Sequence, residues 1–241
     1  LISGENAMPI TKLSARSLAL TTVAAAALMT AAPQVAADDD AAFSLSANAA
    51  LVTDYRFRGI SLSNKDIAFQ GGLDIETSSG FYVGTWGSSI EQYEGSELEL
   101  DVYAGYATSF ENLDFDIGIL AYTYPGSNDT TYWEAYSSVG GSAGPVGWTL
   151  GLAYAFDQSS IGNDDNIYVY FDTSTQLGES AASLSTRIAY EDGAFGDDKY
   201  DWSIGLNYDF EQFSLGVAYI DTNVDADGAR GTVVASLSAA F

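Results

Sequence analysis

From Phe43 onward the chain alternates. Phe43, Leu45, Ala47, Ala49, Leu51, Thr53, Tyr55 and Phe57 share one parity, and Ser44, Ser46, Asn48, Asp54, Arg56 and Arg58 share the other. A period of two is the signature of a strand with one apolar face. The pattern recurs along the chain. Ile67 to Glu76 predicts a second strand, Phe81 to Ser88 a third of ambiguous faces, and Leu98 to Tyr106 and Leu113 to Ala121 a fourth and fifth. A weaker strand runs around Trp133, followed by strands over Val146 to Asp157, Ile167 to Phe171, Leu184 to Glu191, Tyr200 to Phe210 and Phe213 to Tyr219. The twelfth, Thr232 to Phe241, places Val233, Ala235, Leu237, Ala239 and Phe241 on one face and stops on the aromatic.

Connections between these runs also alternate. Those at 78–80, 110–112, 141–145, 177–180 and 211–212 are short, whereas those near 59–66, 91–97, 125–130, 158–165, 192–198 and 221–229 are longer and mostly acidic. No charged residue takes the apolar parity of a clearly assigned strand. A Lys or Arg facing mid-membrane lipid costs about 2–4 kcal/mol, so a bilayer would impose that sorting. The prediction is an all-β fold: a closed antiparallel transmembrane β-barrel of twelve strands, with short periplasmic turns and longer acidic extracellular loops.

Aromatic residues gather at strand ends on the apolar parity. Phe43, Phe57, Trp148, Phe156, Tyr200, Phe210, Phe213 and Phe241 are the candidate membrane-interface residues, with Ala, Leu, Ile and Val between them. Two such girdles around an aliphatic band mark a barrel at its lipid interfaces. Aromatic packing inside a soluble barrel or sandwich is the competing reading.

The N-terminus adds a location. After Met8 come Lys12 and Arg16, an apolar run from Leu18 to about Ala32, and Val35-Ala36-Ala37 before Asp38. This is the layout of a secretory signal peptide, and its apolar run is shorter than the ~20 residues of a membrane-spanning helix. Residues 8–37 are therefore expected to be the signal peptide, 1–7 an upstream extension, and 38–241 one outer-membrane barrel domain in a Gram-negative bacterium. That domain holds six basic and 32 acidic residues, a net charge of −26, and neither His nor Cys. So acidic a balance excludes nucleic acid as a partner, because phosphate binding rests on clustered Lys and Arg. The lack of Cys excludes a disulfide scaffold, thiolate metal ligation and an acylated N-terminal Cys.

Leu51-Val-Thr-Asp54-Tyr55-Arg56-Phe57-Arg58-Gly59-Ile60-Ser61, then Gln70-Gly71-Gly72 and Ser79-Gly80-Phe81-Tyr82-Val83-Gly84-Thr85-Trp86, resembles the opening signature of the TorF-type porin family. These are proteobacterial outer-membrane β-barrel proteins of largely unassigned function. The resemblance is specific over 51–88 and architectural beyond. Ile67-Ala68 stands where the family often carries Pro-Ala. It implies a location and a porin role, and supplies no catalytic or substrate residues.

Chemistry narrows the role further. Barrel-shaped outer-membrane hydrolases depend on a His, and there is none, so no catalytic residue and no cofactor are assigned. Asp221-Thr-Asn223-Val-Asp225-Ala-Asp227-Gly228 echoes a calcium loop, but the twelfth position counted from Asn223 is Val234 rather than a bidentate Glu. It reads as an acidic surface loop, and no metal site is assigned. The candidate pore-lining residues are Arg56, Arg58 and Arg187 on one arc of the barrel and Glu97, Glu99, Asp101 and Glu134 on another. Arcs of opposite sign would set a transverse field across a pore; equally, each Arg would neutralise nearby acids in structural ion pairs. The expected function is a porin-like channel passing small hydrophilic solutes and favouring cations. Its expected partners are membrane lipid, lipopolysaccharide and, through the terminal strand, the outer-membrane insertion machinery. The alternative is a non-conducting structural or surface-interaction barrel.

Overall fold

The computed structural model describes residues 43–128 and 130–241. The expected signal peptide at 8–37, the 1–7 extension and the start of the barrel domain at 38 lie outside the described residues. Strands run in the order β1 (Phe43–Val52), β2 (Arg56–Phe57), β3 (Ile60–Ser61), β4 (Ala68–Thr77), β5 (Phe81–Tyr93), β6 (Ser96–Phe110) and β7 (Leu113–Thr123). They continue as β8 (Tyr132–Ala143), β9 (Val146–Gln158), β10 (Asp164–Gln176), β11 (Ala182–Gly193), β12 (Gly196–Phe210), β13 (Phe213–Thr222) and β14 (Thr232–Ala240).

Among the described residues, twelve strands close a barrel in the order β1-β14-β13-β12-β11-β10-β9-β8-β7-β6-β5-β4, all antiparallel. The closing seam pairs Leu51 with Leu237 and Asn48 with Ala240. Closure matters energetically because an open sheet edge in lipid would leave backbone N–H and C=O groups unpaired, each at several kcal/mol. The alternation sorts side chains as the sequence predicts. Outward Leu45, Ile117 and Val233 are 65 %, 61 % and 62 % exposed, while inward Trp86, Tyr136 and Tyr168 are buried. An apolar outer face beside a polar and aromatic interior is the inverse of a soluble barrel.

Two expectations about connections need correction. The predicted longer loops at 91–97 and 192–198 are instead two-residue turns, at Glu94-Gly95 and Ala194-Phe195, on hairpins whose strands extend well past their neighbours. Glu94 and Gly95 both have left-handed backbone, φ 48° and 92°, as the tight hairpin turn requires.

The other correction concerns the first strand, which ends at Val52 rather than at Phe57. Thr53 N donates to Ala235 O at 2.9 Å, and the chain then leaves the barrel wall. It returns only at Ala68, having folded β2 and β3 into a separate two-stranded hairpin.

Candidate functional site

The hairpin builds itself from local chemistry. Asp54 is the organiser: its carboxylate takes Arg56 Nε at 2.6 Å, Ser61 Oγ at 2.6 Å and Ser63 Oγ at 3.3 Å. Ser63 Oγ in turn accepts the Tyr55 N–H at 2.9 Å. Arg56 then pairs with Ser61 and Phe57 with Ile60, across a two-residue turn whose central residues, Arg58 and Gly59, have φ 48° and 86°. Gly59 serves both geometry and space, since a Cβ there would stand 3.0 Å from the Cβ atoms of Asp201 and Thr222 on the barrel wall.

This hairpin is tucked inside the barrel, at the end where the longer connections lie. Arg56 Nη1 donates to the carbonyls of Gly59, Gly228 and Arg230 at 3.0, 2.9 and 3.1 Å, tying it to the connection between β13 and β14. Glu91 N donates to Leu62 O at 2.8 Å on the opposite flank. At the rim, exposed Lys65 pairs with Asp227 at 3.1 Å and holds that carboxyl below its ordinary value.

Arg58, at the tip, reaches across the lumen. Its Nη2 donates to Glu134 Oε1 and Oε2 at 2.9 and 2.8 Å, and its Nη1 to Glu191 Oε1 at 2.6 Å. Its guanidinium lies 4.3 Å from the Tyr168 ring centre and 4.7 Å from that of Phe57. Glu191 also accepts from Asn166 Nδ2 at 3.0 Å and from Lys199 Nζ, and Glu134 from Tyr122 OH at 2.8 Å. Tyr55 OH donates to Glu99 at 3.0 Å. Asp101, fully buried on the same face of β6, meets no hydrogen-bonding partner on the protein. Tyr122 stacks on Tyr132 at 4.4 Å, and Phe57 meets the Tyr122 edge at 5.7 Å. Arg58, Glu134, Glu191, Tyr122 and Lys199 are all buried, so the hairpin and the wall side chains pack closely at this end of the lumen.

The other half is built differently. Tyr103 OH donates to Asp74 at 2.5 Å and Tyr82 OH to Asp116 at 2.6 Å, with Tyr82 and Tyr136 hydroxyls 2.6 Å apart. Inward tyrosines lie over glycines on neighbouring strands: Tyr103 covers its cross-strand partner Gly84, and Tyr170 covers Gly151. The opposite wall presents Ser46, Asn48, Ser236 and Ser238, none of them buried. Arg187 pairs with Asp172 at 2.6 and 2.5 Å and lies 4.5 Å from the Tyr170 ring centre.

The predicted site residues thus divide into groups. Arg56, Arg58, Glu99, Asp101 and Glu134 come together at the packed end. Arg187 belongs to the other half, and Glu97 is exposed at the outer end of β6, where the β5–β6 register shifts beside the turn. Arg58 contacts Glu134 directly, so these two charges form an ion pair and do not face each other across open space.

Phe57 is a correction: it packs inside on Tyr122, not at the outer interface, because the chain has already left the wall. Phe43, Trp148, Phe210, Phe213 and Phe241 sit at the short-turn end, with Phe156 and Tyr200 toward the other. Lys199, which lies between the expected 192–198 loop and the strand expected from Tyr200, is buried on β12, and Glu191, Asn166, Tyr122 and Tyr168 carry no distinguishing motif in the sequence. One signal existed: Tyr200 and Trp202 face outward, which puts Lys199 and Asp201 inward by parity.

Residues 36–240 match the family described as "Bacterial protein of unknown function (Gcw_chp)". The chain belongs to that family. No functionally curated protein sequence matches it. Among solved structures it is similar to the KdgM porin, with TM-score 0.59 and 8% identity over 81% of this chain and 98% of that one. It is also similar to the KdgM porin in complex with disordered oligogalacturonate, at 0.57 and 8% over 82% and 97%. The NanC porin follows at 0.53 and 9% over 82% and 99%. At such identities the likeness is one of fold, and the Gcw_chp member therefore has the twelve-stranded architecture of an outer-membrane porin.

Proposed function

We propose that this protein is an outer-membrane channel of a Gram-negative bacterium for passive diffusion of small hydrophilic solutes, favouring cations. The signal peptide at 8–37 would direct export, and the terminal strand ending on Phe241 would engage the insertion machinery. Outward Phe43, Trp148, Phe156, Tyr200, Phe210, Phe213 and Phe241 would rest in lipid and lipopolysaccharide. The observation that carries the reading is the division of faces: a closed barrel, apolar outside, whose interior holds Glu99, Asp101, Glu134, Glu191, Asp201, Asp74 and Asp116 against few cations.

The porin crystallised with oligogalacturonate marks a contrast. The carboxylates of such a ligand would meet like charge in this lumen, so that solute class does not transfer to this chain. The second reading, a non-conducting barrel, is favoured by the packed hairpin around Arg58. Conduction in the first reading requires residues 53–67 to move aside.

Planar-bilayer recording under a salt gradient separates them. A channel gives brief steps with a cation-selective reversal potential. A barrel silent at every voltage supports the second reading, and an anion-selective reversal potential overturns the charge argument.

A further inference from the structure

The surroundings of Arg58 are those of a ligand site. A guanidinium is a planar fork that matches a carboxylate in bidentate fashion and favours aromatic faces. Here the two arms of the fork are shared between two carboxylates, Nη2 meeting both oxygens of Glu134 at 2.9 and 2.8 Å and Nη1 meeting Glu191 at 2.6 Å, with the Tyr168 ring centre 4.3 Å away. Glu134 comes from β8, Glu191 from β11 and Tyr168 from β10. All three belong to the barrel wall and are held there independently of the hairpin: Glu134 by Tyr122 OH, Glu191 by Asn166 and Lys199, and Tyr168 by Asp201 at 3.2 Å. The occupant alone arrives on a non-wall segment, whose tip is a two-residue turn, held by hydrogen bonds from Arg56 and by the rings of Tyr55 and Phe57 on Trp86 and Tyr122.

We propose that the wall site formed by Glu134, Glu191 and Tyr168 binds guanidinium-bearing solutes, and that Arg58 occupies it in cis as a tethered competitor that keeps the hairpin seated. Withdrawing Arg58 leaves Glu134, Glu191, Glu99, Asp101 and Asp201 on one ring of the lumen with Lys199 as their cation, a strongly cation-selective constriction. A solute carrying the same fork both occupies the site and displaces the tether, so arrival of solute and release of the hairpin are one exchange. As a gate this rests on the channel reading; as a binding site it does not.

The test uses R58A, refolded in detergent and checked for the slower, heat-modifiable gel mobility of an opened barrel against the folded form. Guanidinium chloride at millimolar concentration is the probe and KCl at equal ionic strength the control. Guanidinium is expected to raise the thermal midpoint of R58A by several degrees over KCl, and to do nothing in R58A/E134Q/E191Q. A midpoint that responds equally to the two salts overturns the site.

In bilayers, R58A is expected to stay open roughly tenfold longer than the wild type, with currents that guanidinium blocks and potassium does not. Guanidinium-dependent stabilisation in an R58A barrel that never conducts overturns the gate and the channel reading while the site stands. Conduction without a guanidinium effect overturns the site while the channel stands. Should R58A fail to fold, wild-type open events serve. If guanidinium competes with Arg58 it lengthens the bursts of openings while lowering the current within them, and bursts identical in the two salts overturn the proposal.

Discussion

The two halves of the lumen are lined by the same twelve strands and the same inward parity, yet they are filled in opposite ways. In the short-turn half the wall supplies its own contents: tyrosines on β5, β6, β8 and β10 lie over glycines across the strand, and the facing wall of Ser and Asn stays accessible. In the other half a hairpin cut out of the wall carries Arg56 and Arg58 into a set of buried carboxylates. Aromatic-over-glycine packing tolerates water beside it, because its members are neutral. Charges shut away from water rely on their partners instead: Arg58 holds Glu134 and Glu191, and removing it leaves Glu134 without an ion-pair partner. The packed half is therefore the part of the barrel whose integrity depends on one segment outside the wall.

That contrast orders the expected effects of substitution. The largest belongs to Glu191, which holds Arg58, Lys199 and Asn166 together. E191A leaves buried Lys199 without its ion-pair partner and Arg58 with Glu134 alone, and should cost about 3–5 kcal/mol, read as a lowered urea midpoint in detergent. A loss below 1 kcal/mol would show that water reaches this half freely.

Next comes the aromatic half. A Cβ at Gly151 would fall within the Tyr170 ring, so G151V should cost about 1–3 kcal/mol by overpacking, with R58A-type conductance changes absent. Smaller again is D172N. Asp172 and Arg187 are 24 % and 20 % exposed, so loss of the charged pair should cost about 1 kcal/mol, and the same unfolding assay would detect it. Least affected is the exposed rim, where K65A should lower the thermal midpoint only slightly at neutral pH and by less in acid. Lys65 lowers the Asp227 carboxyl, so whatever the pair contributes is present above the ordinary carboxylate range and fades as pH falls through the lowered value. A difference between K65A and wild type that grew as the pH fell would contradict that assignment.

Much of the barrel was legible because a strand announces its faces without its partners. Ile204 and Leu206 read as outward, and Ser203, Gly205 and Asn207 as inward, from parity alone. The hairpin was illegible for the same reason. Tyr55, Arg56, Phe57 and Arg58 continue the alternation of Phe43 to Leu51, and period two does not record where a strand stops pairing. The turn at Arg58-Gly59 was hidden too, because a Gly beside an Arg is a weaker hairpin signal than Asn-Gly or Asp-Gly. The start of β12 at Gly196 was hidden because Gly196 to Lys199 carries no apolar alternation that would extend the strand expected from Tyr200.

By itself the sequence determined that this chain must be a sheet with two unlike faces, that the sheet must close, and that its terminal strand keeps Phe241 on the outward side. Those are properties of period, and period is local. Only the tertiary structure decided that one segment of the expected first strand turns inward, that Arg58 meets Glu134 and Glu191 from strands about 76 and 133 residues away, and that half of the lumen is filled. Partners so distant in sequence leave no mark on the pattern around either residue, because what joins them is the closure of the barrel.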